Sequence, residues 1–154
     1  MKGGCGIALA AVLAQGVVAA QAPAPQPVGT MSELMVKIIY PTSDAIFYIT
    51  TRTPTTDVEW NELQAKVLTL GESANLLMMP VRARDQDRWM DDAKLLLDVG
   101  TAALKAAKKK DVEALAALND QLYQACVSCH QHYRPNYRRR PPPDRVDPAP
   151  TLRK

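Results

Sequence analysis

Trp60, Leu63, Val67, Leu70, Ala74 and Leu77 recur at steps of three and four. That spacing gathers all six on one side of an α-helix and on neither face of a strand. Thr56 with Glu59 three residues later forms a capping box that satisfies free backbone donors at the start, and Pro80 stops the helix at the other end. The pattern predicts a helix over 57–79, weakened at Gly71 by about 1 kcal/mol relative to alanine. A helix this long with one apolar stripe needs other elements to cover the stripe.

Three further segments repeat the periodicity. Over 30–51, Met31, Leu34, Met35, Ile38, Thr42, Ala45, Ile46 and Ile49 fall on one face, although Val36 to Tyr40 is rich in strand formers and Pro41 lacks a helical donor. A kinked helix is expected there. Over 86–109 the stripe is Trp89, Ala93, Leu96, Gly100, Ala103 and Ala107, with Lys108, Lys109 and Lys110 at the negative end of the helix dipole. Asp111 then caps a fourth helix over 112–134, whose stripe is Leu115, Leu118, Leu122, Cys126, Cys129 and Tyr133.

Few glycines, only 5% aromatics and abundant Ala, Leu, Lys and Glu agree with helices, and 154 residues suffice for one domain. No strand-and-turn pattern competes and no internal repeat stands out. The expected fold is all-α, an antiparallel up-down four-helix bundle over residues 30–134.

Both ends of the chain read differently. Lys2 followed by a small-residue apolar run from Ile7 to Ala20 has the form of a secretory signal over 1–20, with Val18 and Ala20 placing the cut before Gln21. A cut after Ala22 is disfavoured by Pro23. The apolar run is shorter than the roughly 20 residues a membrane span needs, so cleavage and a periplasmic location without stable membrane insertion are expected. Cys5 leaves with the leader. Residues 21–29 form a proline-punctuated linker, and residues 135–154 a basic, proline-rich tail expected to be disordered. The formal net charge of +3 is too weak to argue for nucleic acid.

The mature chain keeps two cysteines, in the run Cys126-Val127-Ser128-Cys129-His130. Residues three and four apart share a helix face, so Cys126, Cys129 and His130 point together. Two thiols at this spacing followed by an imidazole suit covalent attachment of one haem c, with His130 as the proximal iron ligand. A redox dithiol normally sits where a strand meets a helix, and no strand is expected here. A zinc site needs four ligands, and the one remaining candidate, His132, lies two positions from His130 and so faces elsewhere.

The sixth iron position has candidates in Met31, Met35, Met78, Met79 and Met90. Met31 and Met35 lie one turn apart on the apolar face of the first helix, which can pack beside the fourth. Core filling is the ordinary alternative for both. Tyr133 and Arg134 follow His130 by three and four residues, so Tyr133 can wall the haem edge and Arg134 can pair with a propionate. The alternative for Arg134 is an ordinary cation at a helix C-terminus.

Cys126-x-x-Cys129-His130-x-x-Tyr133-Arg134 near the C-terminus of a four-helix chain resembles the cytochrome c-prime family. The resemblance spans roughly residues 30–134 and is specific only at the C-terminal motif. It implies an antiparallel bundle with haem held by the fourth helix and facing the first. In the high-spin branch of that family the distal site has no ligand and the iron binds gases such as nitric oxide or carbon monoxide. In the low-spin branch a first-helix methionine ligates the iron. Leu34-Met35 stands where that methionine is expected, so the chain looks more like the low-spin branch, with Met35 the first choice and Met31 the second. It departs from the family pattern where Met31 replaces a frequent basic residue and where Pro41 interrupts the helix.

The expected function is therefore one-electron transfer between periplasmic redox partner proteins, with His130 and Met35 as axial ligands. A five-coordinate, gas-binding protein is the alternative. A haem peroxidase would need distal acid and base groups, and the first helix offers only Glu33 and Lys37, on its polar side. The resemblance also implies a possible homodimer through the first two helices. The basic tail suits either docking to an acidic surface or simple solubilisation.

Overall fold

The computed structural model describes residues 24–134, and all their regular structure is helical. The expected leader, the start of the linker and the tail lie outside the described residues. The chain begins with α1 (Met31–Leu34), passes through a π-helical turn (Met35–Ile39) and continues as α2 (Tyr40–Phe47). Next come α3 (Asp57–Leu77), α4 (Arg88–Lys108), α5 (Val112–Ala116) and α6 (Asn119–Tyr133). These make four helical arms, the first from α1 to α2 and the last from α5 and α6. Among the described residues no helix is long and apolar enough to cross a membrane.

Neighbouring arms run antiparallel, and specific bonds fix their ends. The Trp89 indole N–H donates to the Leu77 carbonyl at 2.8 Å, joining the start of α4 to the end of α3. Lys110, just beyond α4, reaches Asp57 at the start of α3 at 2.5 Å. Arg82, beyond α3, donates to the Gly29 carbonyl ahead of α1 at 3.1 Å. The capping box of Thr56 and Glu59 forms, a second one of Thr30 and Glu33 opens α1, and the Asp111 side chain accepts from the Ala114 N–H at 2.9 Å.

The stripes expected on the second and third arms are buried at every position, from Trp60 to Leu77 and from Trp89 to Ala107. Gly71 and Gly100 meet where α3 crosses α4. A Cβ added at Gly100 would lie 2.4 Å from the Gly71 Cα, so side chains are excluded from that crossing. The helix weakening at Gly71 is thus exchanged for close backbone packing.

The first arm differs from a kinked α-helix. In a regular helix the Pro41 ring would press on the carbonyl four residues back. Here the helix widens just before it: the Tyr40 N–H donates to the Met35 carbonyl, five residues back. Buried positions consequently run Leu34, Ile39, Ser43, Ile46 and Ile49, with one step of five across the π turn. Ile38, Thr42 and Ala45, expected inside, are only partly buried. The fourth arm also departs from a single helix. It breaks at Ala117 and Leu118, where the Leu118 N–H tightens onto the Leu115 carbonyl at 3.2 Å.

Candidate functional site

Cys126, Cys129 and His130 lie on the last turns of α6, each half-buried, with both cysteines as free thiols. They face the first arm across a gap. The largest part of that gap is a cavity of about 810 Å³ with Met35, Ile39 and Phe47 on one wall and Cys126, His130 and Arg134 on the other. A cavity of about 60 Å³ continues inward between Met35, Cys126, Cys129, His130 and the α4 residues Asp92 and Leu96. Another of about 290 Å³ opens toward Met31, Arg84, Tyr133 and Arg134. Met35 and His130 line all three. The π turn begins at Met35, so the widened backbone carries that thioether beside the cavity. π-helical turns recur at functional sites.

Burial governs the electrostatics. It pushes the Cys126 thiol up and, together with the nearby Asp92 charge and Cys126, takes Cys129 to about 11. Both cysteines therefore remain thiols at neutral pH, unlike the lowered-pKa thiolates of redox dithiols. Burial, with a smaller contribution from Arg134, holds His130 below the usual imidazole range. Its neutral form, with a lone pair to donate, prevails at neutral pH.

Of the other expected residues, Tyr133 lines the 290 Å³ cavity and packs edge-on against Trp89, with ring centroids 4.9 Å apart. Its hydroxyl donates to Asp85; burial and that hydrogen bond push the phenol up to about 12. Arg134 ends α6, its backbone N–H donating to the His130 carbonyl at 2.8 Å, and its side chain lines the two larger cavities. Met31 borders only the cavity toward Arg84, whereas Met35 borders all three.

His132 turns away from the cysteines, its Nδ1 lying 2.7 Å from the Asp92 carboxylate. A zinc site loses its fourth candidate ligand there. Two residues escaped the sequence reading. Asp92 is 4% exposed and also accepts from the Ser128 hydroxyl at 2.5 Å. Its position on the stripe between Trp89 and Ala93 was the available signal, since a carboxylate inside an apolar stripe needs polar partners. Arg84 joins the cavity from the connection between α3 and α4, and nothing local in the sequence marks it.

No family profile, curated protein or solved structure matches the chain.

Proposed function

We propose that the protein is an exported c-type cytochrome of the c-prime kind that carries single electrons between redox partner proteins. The observation carrying this reading is that Met35 and His130, on different arms, line the same three cavities, with Cys126 and Cys129 beside them. The residues fit one haem. A cavity of about 810 Å³ lies within the range of cofactor sites, roughly 300–1,000 Å³. The imidazole and thioether that line it, with the two thiols that line the adjoining inner cavity, match haem c ligation and attachment.

Cys126 and Cys129 would hold the group through thioethers, and His130 and Met35 would ligate the iron. When bound, haem supplies a reversible one-electron couple. The chain's own residues do the rest. Ile39, Phe47 and Leu96 keep apolar surface against the site, which limits water entry and the reorganisation that accompanies a change of charge. Arg134 and Arg84 border the cavity of about 290 Å³, where their guanidinium groups can receive carboxylates. A methionine ligand raises the potential relative to a two-histidine site.

The test is the absorption spectrum of the protein produced with its leader in a host that attaches haem in the periplasm. A low-spin ferric spectrum is expected, lost in Met35→Ala and kept in Met31→Ala. A high-spin ferric spectrum whose reduced form readily takes up carbon monoxide overturns the electron-carrier reading in favour of gas binding. Absence of covalent haem overturns the cytochrome reading altogether.

A further inference from the structure

The bond pattern around Asp92 concerns how the attachment motif is presented. Ser128 stands between the two cysteines in sequence, and His132 lies one turn further along α6. Both side chains meet the same α4 carboxylate, Ser128 at 2.5 Å on one oxygen and His132 Nδ1 at 2.7 Å on the other. The carboxylate is buried and also lines the inner cavity with Cys126, Cys129 and His130. With 3.6 residues per turn, the Ser128 and His132 face is roughly 130° around α6 from the centre of the face bearing Cys126, Cys129 and His130. A grip on the first face therefore sets the direction of the second.

We propose that Asp92 is the positioning residue of the attachment site: it fixes the rotation of α6 through Ser128 and His132, so that both cysteines meet the cofactor edge together. This rests on the haem reading above. Each S–H adds across one vinyl double bond, the sulfur bonding one carbon and the hydrogen going to its neighbour, with nothing oxidised or reduced. One addition needs one well-placed sulfur. Two on a rigid macrocycle need the helix in a single rotational setting. Apolar packing along α6 itself is sparse, since it fully buries only Leu122 and Ala125, and Tyr133 meets Trp89 and Asp85 only at its last residue. Two hydrogen bonds to one buried carboxylate supply a directional lock that such packing does not.

The experiment compares the wild type with Asp92→Leu, which removes both bonds at similar volume, and Asp92→Asn, which can keep both. Each full chain is produced with haem-attachment machinery. The readouts are the pyridine haemochrome α band, which moves to the red when one vinyl group remains, and mass-detected alkylation of any leftover thiol. Asp92→Leu is expected to accumulate chains with one free thiol and a red-shifted band, and Asp92→Asn to recover the wild-type band. General destabilisation lowers yield without changing the proportion of singly attached chains. If Asp92→Leu does not accumulate, Ser128→Ala/His132→Ala removes the same bonds from α6 and is read in the same way. Wild-type attachment in these bond-removing variants overturns the proposal while leaving the cytochrome reading intact. Absence of haem from the wild type overturns both.

Discussion

Replacing Gly100 by alanine tests how α3 and α4 are held together. The added Cβ would sit 2.4 Å from the Gly71 Cα and 2.7 Å from the Gly71 nitrogen. Ordinary carbon contacts are about 3.5–4.0 Å, and backbone cannot swing aside as a flexible side chain can. The two helices must separate by about 1 Å, which loosens the neighbouring contacts of Val67, Leu70, Val99 and Ala103. Overpacking of this kind costs about 1–3 kcal/mol, and the loosened neighbours place this site near the upper end. Against it stands a helix-propensity gain of about 1 kcal/mol for alanine over glycine. The net expectation is a loss of about 2 kcal/mol, or roughly 8 °C in Tm at about 4 °C per kcal/mol. Gly71→Ala has the same propensity gain, but its Cβ would approach Gly100 no closer than 3.4 Å. It should lie within about 1 kcal/mol of the wild type. Urea and thermal unfolding followed by far-ultraviolet circular dichroism measure both variants. Equal stabilities for the two refute the crossing geometry, because propensity alone treats them alike.

Other consequences can be tested as directly. Hydrogen bonds from Thr55 and Thr56 hold the Glu59 carboxyl at about 2, below its ordinary 4.5. A depressed carboxylate adds stability that is present above pH 4.5 and fades as pH falls toward 2, so Glu59→Ala should destabilise at neutral pH and converge with the wild type near pH 2. Convergence near pH 4.5 contradicts the assignment. Removing the Asp111 cap with Asp111→Ala should cost about 1 kcal/mol, and Asp111→Asn much less; equal losses in urea titrations count against capping. Under the haem reading proposed above, Arg84→Gln should lower the midpoint potential in a spectroelectrochemical titration, since one positive charge that would favour the reduced centre is gone. An unchanged potential places Arg84 outside the site's field.

The sequence exposed those parts of the molecule that depend on short-range periodicity. The stripes of α3 and α4 are buried residue for residue, and the caps at Thr56 and Asp111 form because their partners lie three residues away. Cys126, Cys129 and His130 share a face for the same reason. What escaped depends on partners distant in the chain or on a change of period. Asp92 finds Ser128 and His132 only once α4 and α6 are side by side. The purpose of Gly71 appears only when Gly100 lies opposite it. Pro41 announced a disturbance in the first arm, but a kink and a π turn both relieve its ring, and local sequence does not choose between them. Choosing the first left Ile39 and Ser43 off the buried face.

The π turn makes the first arm a helix in two registers. Met31, ahead of it, and Met35, its first residue, present their thioethers to the cavities, while Ile46 and Ile49, behind it, anchor the arm in the core. In an unbroken α-helix any rotation that re-aims one set re-aims the other. An extra residue between them absorbs that rotation, so the chemistry presented at position 35 can be exchanged while the hydrophobic anchoring stays as it is. The arm is thereby a place where one scaffold can be retuned by single substitutions.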